Sequence, residues 1–302
     1  MLVNNTRADS EGQRPSTSVL IRVRGALPNL RPAERRVAEV VLEHPAHVSE
    51  SSITAIARQC QTSETTVLRF CRAIGLAGYP ELRIALARAA LWEEEDRRSS
   101  GPITGEIGPA DTLQELVAKI THADSRAVED TAAALNLDVL QSAVDAVVKA
   151  SRIDIYGMGA SALCGNDLQQ KLHRLGLVCF VWSEPHLALM SAAMLSPGDV
   201  AIGISHSGTT IDTVDAMRQA GSGGARTVAV TNFSGSQLAA VSDLVLLTAA
   251  RETTFRTGSM SSRIAQLALV DCLFAAVAQS SYDESIEKLR TTSAVVESRH
   301  GR

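Results

Sequence analysis

Lysine is scarce in this chain, four of 302 residues against 25 arginines, and aromatic residues make up only 3%. The five cysteines (Cys60, Cys71, Cys164, Cys179 and Cys272) include no C-x-x-C pair. Their scatter argues against a disulfide framework or a cysteine-paired zinc site; reduced thiols, mostly in cores, are the simplest account. Nowhere do about 18 consecutive apolar residues occur, the length a membrane-spanning helix needs. The N-terminal MLVNNTRADSEGQRPSTS lacks the apolar stretch of a secretory signal. The expectation is a cytoplasmic protein with no membrane partner. His44 and His47 stand close together around Pro45 but bring no third ligand, so neither a metal nor a cofactor is expected.

What is present is a globular composition, 45% hydrophobic and 21% charged, in a length that suits two domains at roughly 100–200 residues each. The net charge of −4 hides an asymmetry. Residues 1–90 carry 12 arginines and 8 acidic groups, whereas the remainder carries 17 basic and 25 acidic groups. A basic front half on an acidic remainder is the distribution expected when one domain meets phosphates and the other does not. Charge alone does not separate this from a chance imbalance in a small domain.

The texture changes along the chain. Residues 1–17 read as a disordered tail, 18–92 as a run of short helices, and 93–110, rich in charge, Gly, Pro and Ser, as a linker. A second domain is expected over 111–290 and a tail over 291–302. The second domain begins with two helical segments and then alternates short β-rich runs with helices: RIDIY (152–156), VCFVW (178–182), DVAIGIS (199–205), RTVAVT (226–231) and DLVLLT (243–248). Several are apolar on consecutive residues, as strands covered on both faces must be. The alternation predicts an α/β domain with a five-stranded parallel sheet flanked by helices.

In the front half, Ile53, Ile56, Ala57 and Cys60 fall at helical spacing in SITAIARQC, and Val67, Phe70, Cys71 and Ile74 repeat it in SETTVLRFCRAIG. An earlier segment, RPAERRVAEVVLEH, opens on Pro32, which suits a first helical position. Ser51 or Ser52 can cap the second helix; Ser63 caps the third, and Gly75 stops it. Only about Gln61–Ser63 separate the two, the spacing of a helix-turn-helix whose second helix enters the major groove. Its outer face carries Thr65, Arg69 and Arg72, with Thr66 near the edge. Arginine bonds guanine edges or phosphates, threonine bonds either or touches a thymine methyl, and the helix start at Ser63 favours a backbone phosphate. The alternative is a generic helical bundle used for protein contacts.

The S-x-x-T-V-x-R-F core at 63–70, followed by G-x-x-G-Y-x-E-L at 75–82, resembles the N-terminal domain of the RpiR/MurR family of regulators. Arg31 departs from it, standing where such domains often place a Ser or Thr cap. The resemblance implies double-stranded operator DNA as a partner.

Two loops carry the chemistry of the second half. The first predicted strand runs into Gly157-Met158-Gly159-Ala160-Ser161, whose glycines allow a tight turn and whose Ser161 stands at a helix start. This is equally an ordinary strand-to-helix turn or a fragment of a dinucleotide site, although the full G-x-G-x-x-G is absent because position 162 is Ala. The third strand runs into Ser205-His206-Ser207-Gly208-Thr209-Thr210, again before a helix. Clustered hydroxyls and backbone N–H groups of this kind hold a phosphate without lysine; plain capping needs one hydroxyl.

Together the two loops resemble the SIS (sugar isomerase) domain. By that resemblance Ser205, Ser207 and Thr210 would hold a phosphate within a site that also takes in Gly159, His206 and Gly208, with Ser161 opposite, and the effector would be a phosphorylated sugar or amino sugar. Glu252 is a candidate acceptor for sugar hydroxyls, equally an exposed glutamate. Glu184, His186 and Arg263 are weaker candidates. A rival reading is a phosphosugar isomerase or etherase, with Glu252, Glu184, His186 or His206 as base; TGSMSSR (257–263) resembles the TGSTR stretch of sugar-acid etherases with a different interior. A DNA reader fused to a ligand pocket favours a regulator, expected to be a non-enzymatic repressor of carbohydrate-metabolism genes that assembles with itself as a dimer or tetramer.

Overall fold

The computed structural model describes residues 19–27, 30–100, 107–250 and 260–297. The front half is a helical bundle: α1 (Val19–Ala26), α2 (Pro32–Glu43), α3 (Pro45–Glu50), α4 (Ile53–Gln59), α5 (Glu64–Ala73) and α6 (Tyr79–Ser100). Its core gathers the periodic apolar side chains, including Val37, Val41, Ile56, Val67, Phe70, Leu82 and Leu86. Ser52 caps α4 by accepting from Ala55 N at 3.2 Å, and Ser63 caps α5 by accepting from Thr66 N at 3.3 Å. Between them Gln61 takes a positive φ of 49°, while Thr62 N reaches back to Ala57 O at 2.8 Å. Arg36 of α2 clamps this turn, donating to Cys60 O at 2.9 Å and to Gln61 O at 3.1 Å. Arg31 lacks a capping hydroxyl, and Glu34 makes up for it by accepting from Arg31 N at 3.1 Å.

The helix α6 runs to Ser100, well into the stretch read as a linker. The charged run that suggested a linker is mostly Glu and Arg, which are good helix formers. At the other end, α6 is pinned to α3 by the Tyr79 hydroxyl, which lies 3.1 Å from both Val48 O and Ser51 O.

The second half opens with α7 (Leu113–Ala134) and α8 (Leu137–Lys149), which turn by 87° between them. Five strands follow, β1 (Ile153–Gly157), β2 (Cys179–Trp182), β3 (Val200–Ile204), β4 (Arg226–Thr231) and β5 (Leu244–Leu247), each within one residue of the expected ends. They form one parallel sheet in the order β2-β1-β3-β4-β5. The helices are α9 (Ala160–Arg174), α10 (Pro185–Ala192), α11 (Ile211–Ser222), α12 (Gln237–Ala240), α13 (Met260–Ser280) and α14 (Tyr282–Glu297). Ile153, Ile155, Ile202, Ile204, Val228 and Val230 pack with side chains of α8, α9 and α13 on one face. Tyr156, Ala201 and Ala229 pack with α10, α11 and α12 on the other. Alternate strand residues thus serve opposite faces, and both faces are covered. Among the described residues, the Ser261–Ser280 stretch is apolar and long enough for a bilayer by composition, yet Leu269, Val270, Leu273 and Val277 bury it against the sheet as a core helix. The last helix, α14, continues to Glu297, past the expected start of a tail.

A carboxylate lies inside this domain. Asp154, in mid-β1, is fully buried. It accepts from Arg152 Nε at 2.8 Å and Nη2 at 2.9 Å, from Tyr156 OH at 3.1 Å, from Trp182 Nε1 at 2.8 Å and from Ser191 Oγ. Burial, and next the Asp154 charge, push the Tyr156 phenol far above its ordinary pKa, so it stays a donor. The bond to Asp154 raises the Arg152 guanidinium, whose carbon lies 5.1 Å over the Phe180 ring. The knot ties edge strand β2 and helix α10 to β1.

Four of the five cysteines are buried; Cys272 is exposed. Burial pushes the thiols of Cys71 and Cys164 up to about 11 and that of Cys179 up to about 12. Protonated thiols of this kind are poor nucleophiles.

Candidate functional site

The strand order reverses at β1, whose neighbours β2 and β3 leave it in opposite directions. Open α/β sheets hold ligands outside the carboxyl ends of their strands at such a switch point. The loops after β1 and β3 flank it. In the first, Gly159 takes φ +56° and opens α9, while Gly157 sits so tightly on the new helix that a Cβ would come within 3.1 Å of Ser161 backbone atoms. Ser161, almost buried, stands in the first turn of α9.

The second loop is held by its own hydroxyls. Ser205 Oγ accepts from Gly208 N at 3.1 Å and meets Thr210 Oγ1 at 3.0 Å. Thr209 donates to Ser207 Oγ from its hydroxyl at 2.9 Å and its N–H at 3.3 Å. The Thr210 hydroxyl faces Ser205 and does not cap α11, which leaves the start of that helix without a side-chain acceptor of its own. Helix N–H groups and hydroxyls at one point make an anion site. Gly208 has φ +64°, and a Cβ there would lie 2.2 Å from Ser236 Oγ and 2.8 Å from Thr231 Oγ1. Glycine is required on both counts. His206 anchors the loop to β4: its carbonyl accepts from Asn232 N at 3.0 Å and Thr231 Oγ1 at 3.2 Å, and its ring meets Phe233 edge-on at 5.6 Å.

Ser161, Ser205, Ser207 and Thr210 therefore stand at one end of the sheet, with Gly159, His206 and Gly208 shaping the backbone around them. Glu252 lies outside the described residues, as do residues 257–259 of the etherase-like stretch. Glu184 caps α10, accepting from Leu187 N at 2.8 Å and His186 N at 3.2 Å, and the Leu187 bond, followed by that of His186, holds its carboxyl below the usual glutamate range. A carboxylate used this way is a poor proton acceptor. His186 is exposed, and Arg263 is half-buried in α13. The sequence pattern did not reveal Ser236 and Asn232. Asn232 Oδ1 accepts from Ala250 N at 2.8 Å and Thr248 Oγ1 at 3.2 Å, joining the ends of β4 and β5. A cleft lined by Lys149, Asp199, Arg218, Arg226 and Asp243 opens at the opposite, amino end of the strands. Its charges serve neighbours, Arg226 pairing with Asp243 at 3.7 Å and Arg218 with Asp215.

In the front half, α5 exposes Ser63, Thr65, Arg69 and Arg72. Thr66 corrects the expectation: it is 4% exposed, and its hydroxyl meets Ser63 Oγ at 3.0 Å and accepts from Arg69 Nη2 at 3.2 Å. Its hydroxyl braces the helix start. Arg69 also pairs with Glu34 at 3.6 Å, so its guanidinium is oriented from within the bundle.

The model of the helix-turn-helix domain of the rpiR family matches residues 17–91, and that of the SIS domain matches residues 146–276. An uncharacterized HTH-type transcriptional regulator of Caldanaerobacter subterraneus subsp. tengcongensis is 38% identical, over 94% of this chain and 98% of its own length. The HTH-type transcriptional regulator HexR of Pseudomonas aeruginosa is 33% identical, over 85% of this chain and 87% of its own. Among solved structures, the Vibrio vulnificus NanR protein complexed with ManNAc-6P is 30% identical with a TM-score of 0.60, covering 94% of this chain and 100% of that one.

Proposed function

Since the chain belongs to the RpiR family of helix-turn-helix transcriptional regulators that carry a SIS domain, we propose that its operator affinity is set by a phosphorylated sugar or amino sugar held between loops 157–161 and 205–210. The observation that carries this reading is the hydroxyl-rich loop at the start of α11, placed beside the β1–β3 switch point in a chain whose recognition helix turns Thr65 and Arg72 outward. The NanR relative is described in complex with a phosphorylated amino sugar. The regulator is a cytoplasmic repressor of carbohydrate-metabolism genes, and two copies present two recognition helices to a roughly palindromic operator. Phe180, Leu187, Met190, Met194 and Ile211, all exposed, support self-association through the SIS domain. Turnover of the sugar has little support: Glu184 is engaged as a helix cap, and a regulator's pocket needs affinity alone.

A thermal-shift panel of phosphosugars, each beside its unphosphorylated form, tests the reading. An effector at 100 times its Kd adds about 2.7 kcal/mol of stability, and the same compound must change operator binding. No shift with any phosphosugar, or a shift that leaves operator binding unchanged, refutes it. For the DNA half, Arg72→Ala is expected to weaken operator binding about 5- to 150-fold, the worth of about 1–3 kcal/mol for a base-reading arginine, with an unaltered melting temperature. Arg69→Ala is expected to lower both, because Glu34, whose side chain is 10% exposed, loses its cationic partner and keeps the Arg31 N–H. Fluorescence anisotropy with operator DNA and a melting curve on each variant separate the two.

A further inference from the structure

The first two turns of α13 lie at the ligand end of the sheet. The chain leaves β5 at its carboxyl end, Ala249 N is held by Thr131 Oγ1 at 3.0 Å, and Ala250 N is held by Asn232 Oδ1 at 2.8 Å. Ala265 packs on Ala250 and on Ala127 of α7. The Arg263 carbonyl meets Cys164 Sγ at 3.7 Å, one turn beyond Ser161 on α9. Gln266 stands at helical spacing from Val270 and Leu273, which bury into the core further along, so it shares their inward face.

Among the described residues, two side chains there lack a partner. Gln266 is 0% exposed with neither Oε1 nor Nε2 hydrogen-bonded, and Ser261 is 1% exposed with an unbonded Oγ. A buried polar group left unpaired costs about 1–3 kcal/mol, which methionine or alanine at these positions would avoid. The start of α13 is tied to the first loop's helix through Arg263 and Cys164, and to the second loop through Ala250 and Asn232, whose N–H donates to His206 O, and this place gives that cost a use. An amide offers one acceptor and two donors on a fixed plane, and a hydroxyl offers one of each. A sugar ring presents the complementary set in neighbouring hydroxyls, and an amino sugar in its N-acyl group.

We infer that Gln266 and Ser261 bind the sugar body of the effector, across the pocket from the phosphate loop, and select among phosphosugars by their hydroxyl or amide groups. The inference rests on the phosphosugar reading above. A site built to hydrogen-bond a substrate discriminates strongly, because a ligand lacking the matching group leaves the amide unpaired.

The test is calorimetric titration of the full chain with glucose 6-phosphate, N-acetylglucosamine 6-phosphate, N-acetylmannosamine 6-phosphate and inorganic phosphate, on the wild type and on Gln266→Met and Ser261→Ala. The expected result for Gln266→Met is at least a tenfold loss of affinity for the best sugar, a compressed ranking among the three sugars, unchanged inorganic phosphate binding, and an apo melting temperature equal to or above wild type. Ser261→Ala should act in the same direction with a smaller loss. If the wild type binds a sugar and Gln266→Met keeps both its affinity and its ranking, Gln266 does not read the sugar. A lower apo melting temperature with unchanged binding makes the amide structural and also overturns the inference. If the wild type binds none of the sugars, the phosphosugar reading itself falls, and this one with it.

Discussion

Ser205→Ala combined with Ser207→Ala is expected to weaken phosphosugar binding by about 10²- to 10⁴-fold while leaving operator binding without effector unchanged. A hydrogen bond to a charged group contributes about 1.5–3 kcal/mol, and a phosphate dianion would draw on both hydroxyls, so about 3–6 kcal/mol is at stake. At about 1.4 kcal/mol per tenfold, that gives the range stated. Ser205 also shapes the loop. Its oxygen accepts from Gly208 N and meets Thr210 Oγ1, so its loss loosens the backbone as well as removing a donor. The Ser205→Ala single variant should therefore lose more than Ser207→Ala, whose hydroxyl is engaged, among the described residues, with Thr209 alone. Calorimetry with the effector and operator titrations with and without it give both numbers. A double variant that still releases or binds operator normally in response to effector would move the phosphate elsewhere.

Asp154→Ala is expected to cost about 3–5 kcal/mol of stability, the scale for removing one partner of a buried pair. Domains are commonly stable by about 5–15 kcal/mol, so a large part of the total goes. The reason is the number of groups that carboxylate serves: the guanidinium of Arg152, the phenol of Tyr156, the indole of Trp182 and the hydroxyl of Ser191 all donate to it. Alanine orphans them together. Asp154→Asn, which keeps one acceptor oxygen and loses the charge, should fall between. Urea unfolding followed at Trp182 reads the loss where it occurs, and an Asp154→Ala midpoint near wild type would mean that the knot adds little to the fold.

Much of this architecture was legible because its signals are local. Strands buried on both faces must be apolar on consecutive residues, and the runs at 200–204 and 226–231 show it. A helix needs a cap, and Ser52 and Ser63 supply caps where the periodic pattern begins. The phosphate loop shows because several hydroxyls before one helix exceed what capping requires. The misses are non-local or at a boundary of phase. Thr66 lies at the edge of the buried stripe of α5, where a turn of a few degrees decides inside from outside. Glu34 meets Arg69 only because α2 packs across α5. Asp154 gave no local signal, because the donors that hold it come from β2 and α10 as well as from β1. Gln266 was hidden because a single glutamine in a largely apolar helix gives no sign of which way it faces.

The continuity of α6 carries a consequence for how the chain tolerates changes in length. Its 22 residues span about 33 Å at about 1.5 Å each, and each residue turns the chain by about 100°. Tyr79 fixes one end of this shaft to the DNA-reading bundle, so the bearing at which the chain leaves Ser100 is set by residue count. One residue added between Arg88 and Ser100 swings that exit by more than a quarter turn for a gain of only about 1.5 Å, whereas seven restore the bearing to within about 20°. Insertions and deletions along this shaft are rotations first and spacers second, so lengths that differ by whole heptads are the ones that keep the direction in which the chain leaves Ser100.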